Sequence, residues 1–200
     1  MRLGPLPVSP YTRATFFSTV EKDPVNLLYA GALADLAHVV NLTRQILECD
    51  ADWGVGDQLF CEPESPAVAH KQDFNLATSF VSAGFGGRYH TRIYQIFTAH
   101  PTVGRLTASP IHHETWEGCW GPWRLLPADA ASSFDIARDW AVSRLTSMGA
   151  EAALLPMTRF APVQQCNGKW IGTDGRFALV AEKGFLASRG LSADAEVLNW

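Results

Sequence analysis

Hydrophobic residues recur at the three- to four-residue spacing of an amphipathic helix in two segments, residues 32–49 and residues 133–148. Ser132 or Ser133 can cap the second segment, and Asp135 suits the positive end of its helix dipole. The stripes expected to be buried are Leu33, Leu36, Ala37, Val40 and Leu47, widened by Val39, Leu42 and Ile46, and, in the second segment, Ala137, Trp140, Ala141, Leu145 and Met148. These two segments are predicted to be the main helices.

Other segments follow strand patterns. Residues 25–30 form an uninterrupted apolar run, which is typical of a buried strand. Residues 88–97 alternate between two faces, and residues 106–116 form a second extended segment in which Pro110 favours an edge or a bulge. The short connection between these two segments predicts a hairpin.

Toward the C-terminus, the dipeptides Asn167-Gly168 and Asp174-Gly175 are strong signals for two-residue hairpin turns. They predict three successive strands over residues 163–166, 169–173 and 176–181. Together these patterns predict an α+β fold, in which a mixed or antiparallel sheet is packed by two main helices and ends in a C-terminal β-meander.

Composition limits the number of domains. A chain of 200 residues that is 47% hydrophobic can bury one sizeable core. Pro5, Pro7 and Pro10 deny regular pairing to the N-terminus, so residues 1–22 are predicted to be an arm. Residues 23–200 are predicted to form a single globular α+β domain.

Charge and cysteine content narrow the class of protein. The net charge of −4 provides no basic excess for phosphate-backbone contacts, so nucleic acid is not expected as a partner. The sequence contains no run of about 18 apolar residues, so no transmembrane segment is expected. The N-terminus lacks the apolar region of a secretory signal, and the cysteines form no CxxC pair. These features predict a cytoplasmic protein with reduced thiols.

Candidate chemistry is concentrated in the alternating segment 88–97. Arg88, His90 and Arg92 occupy every second position, so a strand would place them on one face. Arginine offers forked donors to a phosphate or carboxylate, and histidine can transfer a proton near neutral pH. These residues predict a site for an anionic small molecule, with His90 as acid or base. The competing interpretation is a solvent-facing strand whose charges pair with acidic side chains elsewhere.

The adjacent residues His112 and His113 would point in opposite directions on a strand, so one of them can join His90. We assign acid–base chemistry to His90 and His113. The residues assigned to substrate binding are Arg88, Arg92, Tyr94, His112, Glu114 and Trp116. The segment HHETW lacks the spacing of the HExxH zinc helix, so neither a dedicated metal nor a cofactor is expected.

The order of four sequence segments resembles a known family. The segments are PVNLLYAG followed by an amphipathic helix, GGRYHTRIYQ, SSFDIARDWAVSRL and GTDGRFALV. In this order they resemble the LssY C-terminal domain family over about residues 23–183, and the R-x-H-x-R strand and the TDG turn are their most specific elements. In that family the domain often follows a membrane-embedded phosphatase-like or transporter-like region. The resemblance implies a domain type rather than a particular reaction.

The leading functional hypothesis is a domain that binds, and as an enzyme would process, an anionic small molecule that is phosphorylated, carboxylate-bearing or lipid-derived. An alternative is a non-catalytic binding or assembly module, as the resemblance implies. A third is a stand-alone enzyme of specialised metabolism whose pocket is lined by aromatic residues. The sequence is compatible with a homo-oligomer.

Overall fold

The computed structural model describes residues 2–3, 11–13, 21–47, 74–81, 88–120, 127–156, 163–164, 170–191 and 196–197. The strands are β1 Arg2–Leu3, β2 Tyr11–Arg13, β3 Glu21–Pro24, β4 Leu27–Ala30, β5 Phe74–Val81, β6 Arg88–Ile96, β7 Leu106–Ala108, β8 Ile111–Trp120, β9 Pro127–Ser133, β10 Ala150–Pro156, β11 Val163–Gln164, β12 Trp170–Ile171, β13 Arg176–Glu182 and β14 Glu196–Val197. The helices are α1 Leu36–Ile46, α2 Asp135–Ser147 and α3 Phe185–Ser188, and a 3-10 turn, Gly31–Ala34, precedes α1.

The centre of the fold is a sheet that contains eight of these strands. Its order is β10-β13-β4-β7-β6-β8-β9, and β5 also pairs with β6. β13 and β4 run parallel, whereas the other pairings in this sheet are antiparallel. α1 and α2 pack on one face. The predicted α+β fold, with a mixed sheet and two main helices, is confirmed.

Hydrophobic residues cover both faces of the sheet. The helix-side core lies between the sheet and the two long helices and includes Leu27, Tyr29, Val39, Ile46, Ile93, Ile111, Ala137, Ala141, Leu145, Ala178 and Val180. The opposite-face core includes Leu28, Ala30, Tyr94, Ile96, Val103, Leu106, Leu155, Phe177, Leu179, Leu186 and Leu191. Successive residues of β4, β6 and β13 alternate between these two cores. The middle strands are therefore enclosed on both sides.

The predicted hairpin between β6 and the next extended segment is confirmed. β6 pairs with both β7 and β8 in one continuous register, so β7 and β8 are two parts of a single long strand. Pro110 separates the two parts because it has no backbone N–H to donate to a ladder. Its carbonyl still accepts the N–H of Arg92 at 3.3 Å. Interruption of the ladder at this proline agrees with the sequence pattern.

The buried side chain of Asn26 completes the sheet at the point where two strands diverge. β4 pairs along β7, and β9 pairs along β8, which leaves Ile111 between them. The Asn26 amide donates to the carbonyl of Ile111 at 2.7 Å and accepts its N–H at 2.9 Å. The same amide donates to the carbonyl of Phe134 at 3.0 Å. One side chain thus supplies the hydrogen bonds that a neighbouring strand would otherwise make.

α1 differs from its predicted stripe. Asp35 accepts the N–H groups of Ala37 at 3.0 Å and His38 at 3.4 Å, so the α-helix starts at Leu36 rather than at residue 32. Ala37, which was expected to be buried, is exposed. The buried positions within the helix are Val39, Thr43 and Ile46. Val39 and Ile46 were predicted to lie at the edge of the buried stripe and Thr43 outside it. In the structure these three residues form the centre of the buried face.

α2 lies close to its predicted bounds. The N-cap position is Phe134, which makes no side-chain cap, but the hydroxyl of Ser133 just before it accepts the N–H of Ile136 at 3.1 Å. Met148 follows the last helical turn and is 43% exposed, so its predicted place in the buried stripe is wrong. The position that sequence periodicity missed is Arg138, which is buried together with Ala137 and Ala141.

The predicted C-terminal meander is wrong in its second half. β11 and β12 pair as an antiparallel hairpin, as expected around Asn167-Gly168. β13 does not continue from β12 but lies between β10 and β4 in the main sheet. The carboxylate of Asp174 binds the guanidinium of Arg138 on α2, so the Asp174-Gly175 turn ties the chain to a helix and carries it into the sheet.

Residues assigned to the N-terminal arm take part in two strand pairs. β2 pairs with β3 in an antiparallel ladder, and β1 pairs with β14 in parallel. The expectation that the prolines prevent regular pairing is wrong for these described residues, because the paired residues lie before Pro5 or after Pro10. The division into residues 1–22 and a single domain over 23–200 stays a prediction.

Candidate functional site

The register of β6 and β8 brings most of the predicted site residues into facing positions. His90 lies opposite His112, Tyr89 opposite His113, and Arg88 opposite Glu114. A cross-strand pair in an antiparallel ladder shares one face of the sheet. Of the two adjacent histidines, His112 is therefore the one that lies on the same face as His90. The side chains of Arg88, Glu114 and Trp116, the glycine-rich segment 82–87 and the four cysteine side chains lie outside the described part of the structure.

His90 and His112 are in direct contact. Their ring centroids are 4.9 Å apart, with an angle of 68° between the planes. The ring of His112 also meets the ring of Phe134 edge to face at 6.0 Å. Both histidines are only 3% exposed. The two imidazoles thus form a buried pair that bridges neighbouring strands.

The competing interpretation, a solvent-facing strand, is wrong for His90, which is buried. Ile93 and Tyr94, a few residues along β6, are fully buried on opposite faces of the sheet. Polar residues at alternate positions of a strand normally indicate one solvent-exposed face. Here each face of β6 packs against other parts of the fold. Tyr94, assigned to substrate binding, lies in the opposite-face core.

Arg92 lies on the same face of β6 as His90, because the two residues are two positions apart. Its side chain is half-buried. A guanidinium in this position places positive charge along the face that carries the histidine pair. Of the predicted ligand-binding residues with described side chains, Arg92, Tyr94 and His112 share this face with His90, and Tyr94 is fully buried there.

His113 belongs to the helix-side face and not to the histidine pair. Its ring meets Tyr89 at 5.1 Å, and Tyr89 stacks on Trp140 of α2 at 3.8 Å with an interplanar angle of 6°. Arg144 lies over the other partner of this stack, 5.3 Å from the Trp140 ring. Burial raises the pKa of the Tyr89 hydroxyl, an effect that the charge of Arg144 partly offsets. The sheet therefore separates His113 from His90.

A set of buried hydrogen bonds holds the strands beside the histidine pair. The hydroxyl of Thr91 lies 2.8 Å from the Ser109 hydroxyl and donates to the carbonyl of Pro110 at 2.9 Å. Thr91 follows His90 directly, and Ile111, held by Asn26, precedes His112. Buried polar groups that are fully hydrogen-bonded rigidify their surroundings. The separation between the two imidazoles is thus fixed from both strands.

Sequence reasoning missed a second buried polar cluster around Arg138, whose side chain is 1% exposed. Its guanidinium donates to both carboxylate oxygens of Asp174, at 2.7 and 3.0 Å, and to Asp139 at 2.8 Å. Asp135 lies 3.4 Å from the same guanidinium and accepts the N–H of Asp174 at 2.7 Å. The signal was available, because position 138 falls on the buried side of the helix with Ala141 and Leu145.

The acidic residues of this cluster have shifted pKa values. Burial alone would raise the pKa of the Asp174 carboxyl, but the hydrogen bonds and charge of Arg138 outweigh it and the pKa lies below its usual value. Burial raises the pKa of Asp135 despite the N–H of Asp174. The pKa of Arg138 is raised, because hydrogen bonds to Asp174 and Asp139 outweigh its burial. The cluster joins segments of the SSFDIARD and TDG motifs, which are distant in sequence.

Within the described residues, no group of three or more histidine, cysteine, aspartate or glutamate side chains is arranged to hold a metal ion. The expectation that the chain has no dedicated metal site stays a prediction. Of the helices that the structure describes, none is both long and apolar enough to cross a membrane.

Comparison of the chain with protein-family models, with curated proteins and with solved structures gives no significant match. The resemblance to the LssY C-terminal domain family therefore stays a prediction that rests on the sequence segments given above. The geometry of the site is the basis on which a function can be proposed.

Proposed function

We propose that this protein binds an anionic small molecule beside His90 and His112, and that the histidine pair serves as its proton donor and acceptor. The observation that supports this proposal is the contact between two buried imidazoles, 4.9 Å apart, on neighbouring strands. Histidine is the side chain best suited to proton transfer near neutral pH.

Charge gives the pair its expected preference for an anion. If both rings were protonated, two positive charges would face each other across 4.9 Å. Because both rings are buried, water would screen this repulsion only weakly. A phosphate or carboxylate nearby would compensate these charges, as would a negative group bound to Arg92. Binding of the anion and uptake of a proton by the pair are therefore expected to be coupled.

Two further positions extend the same ladder. Arg88 and Glu114 lie opposite each other in the register, two residues beyond the histidine pair. A cationic and an anionic residue therefore occupy the next pair of positions on the same face of the ladder. By their residue types, Arg88 and Glu114 suit a polar ligand better than a hydrophobic one.

Calorimetric titration with inorganic phosphate and with acetate, in two buffers of different ionisation enthalpy, tests the proposal. We expect binding with proton uptake in the native chain, and at least a tenfold weaker affinity with no uptake in His90→Gln and His112→Gln. Arg92→Gln, at a half-buried position, should also weaken binding. His38→Gln, at an exposed position on α1, is the matched control and should bind as the native chain does.

Absence of binding in the native chain, or equal binding in every variant, would overturn the proposal. Loss of binding only in His113→Gln would place the site on the helix-side face and would overturn it as well. Circular dichroism of each variant separates loss of binding from loss of folding. Binding without turnover of any phosphorylated substrate would favour the non-catalytic alternative.

A further inference from the structure

A recess lies between the turn that joins β6 to β7 and the end of α3. It has a volume of about 460 Å³ and is lined by Pro101, Thr102, Ser188, Arg189 and Gly190. Sites for small molecules typically have volumes of about 300–1,000 Å³. The recess is open to solvent, so it can hold one end of a small metabolite.

The first wall of this recess is a rigid turn. The backbone groups of His100 and Gly104 form two hydrogen bonds with each other, both 2.7 Å long. The ring nitrogen Nδ1 of the buried His100 accepts the N–H groups of Thr102 at 3.1 Å and Val103 at 3.3 Å. The side chain of Val103 is anchored in the opposite-face core. Thr102 is thus presented to the recess by a turn whose backbone is fixed.

The second wall is fixed equally well. The backbone N–H of Leu191 donates to the carbonyl of Leu186 at 2.9 Å, and both side chains lie in the opposite-face core. Glu151 accepts the N–H groups of Gly184 and Leu186, which holds the start of α3. Since the two walls are anchored in the same core, the recess exists before a ligand arrives, and little ordering is needed on binding.

The polar groups of the recess suit an oxyanion. The guanidinium of Arg189 lies over the ring of Phe185, 5.2 Å from its centroid, which orients it without neutralising it. In the part of the chain that the structure describes, no carboxylate lies within ion-pairing distance of Arg189. The hydroxyl of Ser188 donates to the carbonyl of Phe185 at 2.6 Å, so its oxygen can accept a hydrogen bond from a ligand hydroxyl.

We propose that this recess is a second binding site, for a small hydroxylated metabolite that carries a phosphate or carboxylate. Arg189 binds the oxyanion through its forked donors, and Thr102 and Ser188 bind hydroxyl groups of the ligand. This site is independent of the histidine pair, and it requires no protonation change.

The site is tested by nuclear magnetic resonance titration with inorganic phosphate, acetate and ribose 5-phosphate at low salt. We expect shifts of the Thr102 and Gly190 amide signals, with ribose 5-phosphate binding at least tenfold more tightly than inorganic phosphate. A comparison of phosphate with acetate identifies the preferred oxyanion. Arg189→Gln should weaken binding at least tenfold, and Thr102→Val should weaken binding of ribose 5-phosphate more than that of phosphate.

Arg144→Gln is the matched control, because Arg144 also lies over an aromatic ring, at 5.3 Å from Trp140, but outside the recess. It should leave the titration of Thr102 and Gly190 unchanged, as should His112→Gln, which tests the other site. Unshifted Thr102 and Gly190 signals with all three probes, or equal losses in Arg189→Gln and Arg144→Gln, would overturn the proposal. Because Arg189 is exposed, its replacement is not expected to disturb folding.

Discussion

The guanidinium of Arg138 and the imidazoles of His90 and His112 are all buried, but their surroundings differ in charge. Around Arg138, one buried cation meets the carboxylates of Asp135, Asp139 and Asp174. In the histidine pair, two groups that would gain the same charge on protonation face each other. The first arrangement is compensated within the chain, which suits a structural role. For the second, we propose that a bound anion compensates the charge of the protonated rings.

Replacement of Arg138 should have the largest effect on stability. Arg138→Ala removes the cation that the three carboxylates share, and we expect a loss of about 3 kcal/mol in the free energy of unfolding, since breaking a buried ion pair is strongly destabilising. Chemical denaturation measures this change. Arg144→Ala on the same helix should change stability by less than about 0.5 kcal/mol. Equal effects of the two variants would show that the cluster does not stabilise the fold.

Replacement of a paired histidine should have an intermediate effect that depends on the ligand. Since His90 is 3% exposed, His90→Ala should cost about 2 kcal/mol rather than the small change expected of a surface residue. Phosphate should raise the melting temperature of the native chain through binding to the folded state, and it should raise that of His90→Ala much less. An equal rise in both proteins would contradict a ligand role for the pair.

Replacement of Asp174 should have a smaller effect that depends on pH. Asp174→Asn should cost about 1.5 kcal/mol at pH 7, because Arg138 keeps Asp135 and Asp139 as partners. The pKa of Asp174 is lowered in the fold, so its contribution is present above about pH 4 and is lost as the pH falls through that lowered pKa. The free energies of unfolding of the native chain and of Asp174→Asn, measured by chemical denaturation, should therefore converge below about pH 4.

Asp135 has the opposite pH dependence, which the native chain and Asp174→Asn share because both contain it. Because burial raises its pKa, ionised Asp135 destabilises the fold, and this cost disappears as the pH falls through the raised pKa. Asp139→Asn is the control for the Asp174 variant, because Asp139 is 58% exposed and its loss should cost about 0.5 kcal/mol. A gap between the native chain and Asp174→Asn that stays constant down to pH 3 would contradict the assigned pKa shift.

Local periodicity predicted the elements but not the contacts between them. The two helices, the buried β4 and the hairpin around Pro110 follow from patterns within a few residues. The pairing of β13 with β4 could not be predicted, because it joins segments distant in sequence. The side chain of Asn26 makes the hydrogen bonds that a neighbouring strand would otherwise make to Ile111. A single residue of this kind leaves no periodic pattern in the sequence.

The sequence predicted which residues of β6 share a face, but it did not predict that this face is buried. Alternation at positions 88, 90 and 92 correctly placed His90 and Arg92 on one face of β6. It could not show that this face is covered, because the covering residues come from other parts of the chain. The choice of His112 over His113 required the cross-strand register, which a single strand does not contain.

The interruption at Pro110 also makes the pairing of His90 tolerant of an error in register. A strand that slips by one residue turns every side chain to the other face of the sheet. If one residue were deleted between β7 and β8, the position opposite His90 would pass from His112 to His113. The histidine contact would survive, while Tyr89 would lose His113 and face Glu114 instead. Two adjacent histidines thus provide a spare partner for His90 just beyond the proline.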